Sequence, residues 1–151
     1  MDAVKVGFVG CGGIAGYHFG HMENMDNARV VAVCDKIEDR AQAAATRFSA
    51  TPYTVYAEMF EKEDLDAVFI CVEPSAHDGM ELMAIEKGCH LFVQKPMTLD
   101  MDYARAVRDA IAAKGLISAV GFQCRYVDSL PRVKAWVSSQ KIGMAIMTRI
   151  E

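Results

Sequence analysis

Residues 4–15 read VKVGFVGCGGIA, and this stretch decides the fold. Val4, Val6, Phe8 and Val9 are apolar and mostly β-branched or aromatic, the composition of a strand buried on both faces of a parallel sheet. Gly10, Gly12 and Ala15 follow at once and spell G-x-G-x-x-A. Each small residue has a task in such a turn. Gly10 permits the tight bend, Gly12 lets a pyrophosphate come up to the backbone, and Ala15 lets the next helix lie close against the strand. The unpaired N–H groups of that helix, Gly13 and Ile14 among them, face the anion, and the helix dipole favours negative charge there. Val30, Val31 and Val33 form a second short strand that ends at Asp35, 20 residues past Ala15. At that spacing a carboxylate reaches the ribose hydroxyls of an adenine dinucleotide. A helix cap is the alternative use of Asp35. Lys36 follows it directly and lies near the adenosine or in solvent.

Working outward, the chain alternates strands and helices. The first helix is expected from about Gly13 to Met25, with His18 and His21 as surface residues, and the second from Ile37 to Phe48 on a stripe of Ala41, Ala44, Ala45 and Phe48. An extended piece near Tyr53–Val55 and a brief helix at Ala57–Lys62 lead to a buried strand, Leu65–Val72. Ser75 is a candidate cap for a helix ending at Gly88, with Asp78 as a partial capping box. His90–Val93 is a strand. Thr98 is a candidate cap for a helix that runs to Lys114 on a stripe of Tyr103, Ala106, Val107, Ala110 and Ile111, and Leu116–Phe122 is another strand. Such an order implies an α/β fold, a parallel sheet wound on both faces. Ligands of such sheets bind at the carboxyl ends of the strands. That rule gathers Gly10–Ile14, Asp35, Cys71–Pro74, Gln94–Pro96 and Gln123–Tyr126 into one site.

After Phe122 the pattern changes. A helix is expected at Ser129–Ser139, burying Leu130, Val133, Trp136 and Val137, then a turn at Lys141–Gly143 and a strand at Met144–Ile150. This division gives a dinucleotide-binding domain at 1–122 and the start of a truncated second α+β domain at 123–151. An unpaired strand at that end is a template for homo-oligomer contacts.

Composition narrows the partners. Hydrophobic residues make up 52% and charged residues 24% of 151, values of an ordinary globular chain. The net charge of −4 is uneven: residues 1–124 hold 11 Lys/Arg against 18 Asp/Glu. An acidic body argues against a nucleic-acid surface, and no apolar run is long enough to span a membrane as a helix. Cys11, Cys34, Cys71, Cys89 and Cys124 include no C-x-x-C pair. They read as reduced, small apolar residues of a cytoplasmic protein, with no metal site.

Together, VGFVGCGGIAGYH, AVCDKIEDRA, FICVEPSAHDGMELMAIEKGCHLFVQKPMTLD and GFQCRY resemble the amino-terminal half of the Gfo/Idh/MocA oxidoreductases. The resemblance implies a Rossmann NAD(P)-binding fold, NAD as cofactor with NADP possible, and hydride transfer to or from a sugar, cyclitol or related polyol. The alternative is a non-catalytic dinucleotide-binding or sensing module acting through a partner. A methyltransferase fits poorly, since it wants an acid at the end of the first strand, where Phe8 and Val9 stand. By the resemblance, Lys95 of a Gln-Lys-Pro sequence takes the place of the active-site lysine in the family's Glu-Lys-Pro. Gln94 keeps hydrogen bonding there but loses the charge. Cys71, Val72, Glu73, Pro74, His77 and Gln123 complete the expected cofactor site. His77 matches a recurrent family histidine, while Glu73 departs from the family's usual threonine.

Overall fold

A computed structural model describes residues 2–139. Six strands form one wholly parallel sheet: β1 (Val4–Val9), β2 (Ala28–Cys34), β3 (Thr51–Tyr53), β4 (Ala67–Ile70), β5 (His90–Val93) and β6 (Ser118–Val120). Their spatial order is β3-β2-β1-β4-β5-β6. The chain winds outward one way from β1 to β3 and the other way from β4 to β6, so the direction reverses between β1 and β4. In open α/β sheets, ligands bind in the crevice at that reversal.

Helices cover both faces. α1 (Gly13–Met22) and α2 (Glu38–Phe48) bring Ala15, Phe19, Met22, Ala44 and Ala45 onto one face, where they meet Val6, Phe8, Val30 and Val33. α3 (Tyr56–Lys62), α4 (Met80–Glu86) and α5 (Met101–Lys114) bring Met59, Phe60, Met80, Ala84, Ile85 and Val107 onto the other, against Val9, Ala32, Val68, Ile70, Leu91 and Val93. Neighbours in sequence thus serve opposite layers, as the two-residue period of a strand requires. Phe8, Phe69 and Phe92 sit in register on β1, β4 and β5 and stack in a row with centroids 4.7 Å apart.

Several boundaries differ from the sequence expectation, each for a local reason. The helix expected from Ser75 starts instead at Met80. Pro74–Ala76 forms a separate 3-10 turn, and Gly79 at φ 109° interrupts the helical path. Ser75 therefore caps nothing, and Asp78 accepts the Tyr56 hydroxyl at 2.8 Å. The cap of α5 is Asp100, whose Oδ1 accepts from the amides of Asp102 and Tyr103, while Thr98 Oγ1 accepts from Asp100 N–H. Ala106 points to solvent, and only Val107 of the α5 stripe is fully buried. His18 is not a plain surface residue. Its ring packs edge-on against Phe69 and Phe92, and burial holds it below the ordinary histidine range.

The chain divides into two compact units, Met1–Gly121 and Phe122–Glu151. In the second, a 3-10 turn at Gln123–Tyr126 precedes α6 (Ser129–Ser138). None of the residues of α6 is buried, and Trp136 is 55% exposed, so the expected buried stripe is not formed. The strand expected at Met144–Ile150 lies outside the described residues. Among the described residues, no helix is long and apolar enough to cross a membrane.

Candidate functional site

Backbone ladders align the carboxyl ends of the strands on one edge of the first unit. Gly10 N–H donates to Cys34 C=O at 2.7 Å, Cys71 N–H to Val9 C=O at 2.7 Å, and Gln94 N–H to Ile70 C=O at 2.9 Å. Gly121 N–H reaches Val93 C=O at 2.9 Å and Asp35 N–H reaches Tyr53 C=O at 3.1 Å. Each of the residues that end these strands is thereby fixed by the strand beside it. Gly10–Ile14, Asp35, Cys71–Pro74 and Gln94–Pro96 come together at this edge. Gln123 lies in the second unit, exposed at the start of its 3-10 turn.

The two key glycines have different physical roles. Gly10 has φ 92°, and a Cβ there would stand 2.6 Å from the carbonyl oxygen of Cys71. No L-residue fits without moving β1 from β4. Gly12 is the N-cap of α1 at φ −78° and ψ −166°, an extended conformation open to any residue. A Cβ on Gly12 or on Gly13 would meet no atom within 4 Å. Nor does any side chain cap α1, so its first N–H groups have no protein acceptor. Open space over uncapped amides suits a pyrophosphate, and a bound dinucleotide fits the residues present. Ile14, 39% exposed, flanks this space.

Asp35 is 8% exposed. Its Oδ2 accepts from Cys11 N–H at 2.8 Å and its Oδ1 from Ile37 N–H at 2.9 Å. Asp35 is therefore not the cap of α2, whose N-cap is Ile37. It ties the glycine turn to the end of β2. Each carboxylate oxygen has two lone pairs, so both can still accept from ribose hydroxyls. Lys36 beside it is exposed. Burial pushes the Cys11 thiol up to about 12, so it stays protonated and is no nucleophile. Cys71 is likewise pushed up to about 12 by burial.

At the end of β5, Gln94 is 7% exposed. Its Oε1 accepts the N–H of Lys95 at 2.8 Å, and its carboxamide lies under Gly121, where a Cβ would collide with it. Gln94 thus shapes the turn instead of facing the lysine side chain. Lys95 is exposed, and its ammonium makes no ion pair among the described residues. The Lys95–Pro96 peptide is cis. After β4, Glu73 is exposed and its carbonyl accepts from Ala76 N–H at 2.9 Å. His77 turns inward, and its Nδ1 meets Glu81 Oε1. Glu81 also accepts the Tyr103 hydroxyl at 2.7 Å. Sequence reading missed this cluster: Glu81 went unremarked, and Tyr103 appeared only as part of an apolar stripe. The available signal was the four-residue spacing of His77 and Glu81.

Known proteins share this fold. Residues 4–122 match a family described as an oxidoreductase family with an NAD-binding Rossmann fold. The chain is 30% identical over 149 residues to scyllo-inositol 2-dehydrogenase (NAD(+)) of Bacillus subtilis, which covers 95% of this chain and 42% of that one. It is 30% identical over 150 residues to an inositol 2-dehydrogenase/D-chiro-inositol 3-dehydrogenase of Shouchella clausii, covering 97% and 43%. The chain thus spans less than half the length of these curated relatives. Among solved structures, it is similar to scyllo-inositol dehydrogenase from Lactobacillus casei with bound NAD(H) and scyllo-inositol. There the TM-score is 0.83 at 26% identity, over 94% of this chain and 43% of that one. The WlbA dehydrogenase of Chromobacterium violaceum, in complex with NADH and UDP-GlcNAcA, gives a TM-score of 0.86 at 26% identity, over 95% and 42%. By sequence and by fold, the chain belongs to the Gfo/Idh/MocA oxidoreductase family.

Proposed function

We infer that residues 1–122 are the dinucleotide-binding domain of an NAD-dependent dehydrogenase acting on an inositol or a related polyol, with residues 123–151 opening its substrate domain. The observation that carries this reading is the open, uncapped start of α1 beside the Asp35 carboxylate. In this reading Gly10, Gly12, Gly13 and Ile14 hold the pyrophosphate, and Asp35, with Lys36 beside it, holds the adenosine ribose. Cys71, Val72, Glu73, Pro74 and Gln94 line the nicotinamide half, while His77, its side chain turned inward, lies behind them. When bound, the nicotinamide supplies the hydride acceptor or donor.

Lys95 is the residue proposed to touch substrate. Its exposed ammonium, on a turn that Gln94 fixes from below, can donate a hydrogen bond to a substrate hydroxyl and favour loss of its proton. Asp35 favours NAD over NADP, because a buried carboxylate repels a 2′-phosphate. The five cysteines, all unpaired, support a cytoplasmic location.

The test is a titration of the purified chain with NADH and NADPH, followed by fluorescence. Saturable NADH binding, tighter than NADPH, is expected. Absence of binding to either would overturn the assignment, and tighter NADPH binding would overturn the role of Asp35.

A further inference from the structure

One buried charged group is not used by the dinucleotide reading. Glu81 has 0% exposure on α4, flanked in the same core by Met80, Ala84 and Ile85. A carboxylate in such surroundings is costly unless both oxygens are engaged, and both are. Oε2 accepts from Tyr103 on α5 at 2.7 Å, and Oε1 meets Nδ1 of His77. The His77 side chain is only 1% exposed. Its second nitrogen, Nε2, is buried and makes no hydrogen bond.

His77 belongs to the turn that leaves β4 through Cys71–Pro74. The groups that bear on its ring come from every side. Glu81 is first and outweighs the opposing effect of burial, and the charge of Asp78 adds to it. Asp78 is itself held by the Tyr56 hydroxyl from α3. The two carboxylates favour the charged ring and hold it above the ordinary histidine range. A polar chain therefore runs from α5 through α4 to the turn after β4: Tyr103 hydroxyl, Glu81 carboxylate, His77 imidazole.

We propose that Glu81 and Tyr103 are positioning residues for the bound dinucleotide, orienting His77 so that its ring braces the turn of residues 72–76 under the nicotinamide half. The proposal rests on the dinucleotide-binding reading above. It differs from a merely structural role in one respect. The brace acts at the β4 turn, not at the glycine turn or Asp35, so it affects a ligand that spans both halves and spares one that occupies only the adenosine half.

The test compares NADH with ADP on the 151-residue chain and on Glu81→Gln, which keeps the shape and removes the charge. NADH binding is expected to weaken about tenfold, the lower end of what loss of a charge-assisted hydrogen bond costs. ADP binding is expected to stay within about twofold. Tyr103→Phe, a gentler change, is expected to act in the same direction by about threefold. NMR titration of the His77 ring supplies an independent readout: its midpoint is expected above the ordinary histidine value and should fall in Glu81→Gln. Equal weakening of NADH and ADP in folded Glu81→Gln would overturn the proposal. So would unchanged NADH affinity or an unmoved His77 midpoint. A wild-type chain that binds neither NADH nor ADP would instead overturn the dinucleotide reading, and this proposal with it.

Discussion

Gly12→Val separates binding from folding at the site that anchors the whole proposal. The structure places no atom within 4 Å of a Cβ at this position, and the backbone there is extended, with φ −78°. The folded chain can therefore accept the side chain without a clash. What remains is the poorer N-cap preference of valine, about 1 kcal/mol, or a fall of about 4 °C in Tm for a domain of this size. Binding should suffer far more. The isopropyl group would fill the space above the first amides of α1, where a pyrophosphate would sit. Loss of two charge-assisted hydrogen bonds costs roughly 3 to 6 kcal/mol, which is at least about 100-fold in Kd.

Gly10→Ala is the control with the opposite signature. Its φ of 92° and the 2.6 Å approach to the Cys71 carbonyl combine backbone strain with a backbone clash. A stability loss of about 2 kcal/mol or more is expected. Thermal unfolding by circular dichroism and NADH titration, run on both variants, give the two axes. A folded Gly12→Val that binds NADH within about threefold of wild type would refute the anion-seat reasoning. An unfolded Gly12→Val would refute the claim that this glycine is free of packing constraint.

Three further outcomes follow from the geometry. Asp35→Ala should narrow the gap between NADH and NADPH, and it should lower stability by about 2 kcal/mol, because the amides of Cys11 and Ile37 lose their acceptor; an unchanged ratio in a folded variant counts against the ribose role. The His77–Glu81 pair should make stability depend on pH. With His77 raised in the folded state, its contribution is complete below the unfolded histidine value of about 6.5 and is lost as pH climbs through the raised folded value. Urea unfolding between about pH 5 and 9 should show this fall, and Glu81→Gln should flatten it; identical profiles would contradict the pairing. Finally, Gly121→Ala should destabilise by about 1 to 3 kcal/mol through collision with the Gln94 carboxamide, and Gln94→Ala added to it should recover part of the loss; additive losses in Tm would show that the two positions are not in contact.

The architecture was legible because its signals are local. Apolar strands alternating with helices, a glycine turn after the first strand, and an acid after the second need no partner to be read. Helix starts were less legible, since two cap-type residues often stand close together. Thr98 and Asp100 are both good N-caps by type. The choice of Asp100 depends on which backbone amides its oxygens reach, and Thr98 is used instead to hold Asp100 N–H. Gly79 likewise gave a weak signal that Pro74 and Ser75 obscured: its positive φ delays α4 to Met80, and His77 turns inward from the segment between.

The candidate site was legible only where residue type and spacing point to a ligand. Gly10, Gly12 and Asp35 could be proposed because a pyrophosphate and a ribose ask for a definite residue type at a definite spacing. Glu81 and Gln94 were not understood, because their roles depend on residues far away in sequence. Glu81 reads as one more charge on an amphipathic helix until Tyr103, 22 residues later, supplies a hydroxyl to its second oxygen. Gln94 reads as a neutral stand-in beside Lys95 until Gly121 is seen to leave room for its carboxamide. A glutamate at position 94 could accept the same Lys95 N–H, so the turn does not by itself require the neutral residue. What the neutral residue changes is the charge buried beneath Lys95. A carboxylate there would have to be desolvated under Gly121 without an ion pair, a cost the amide avoids.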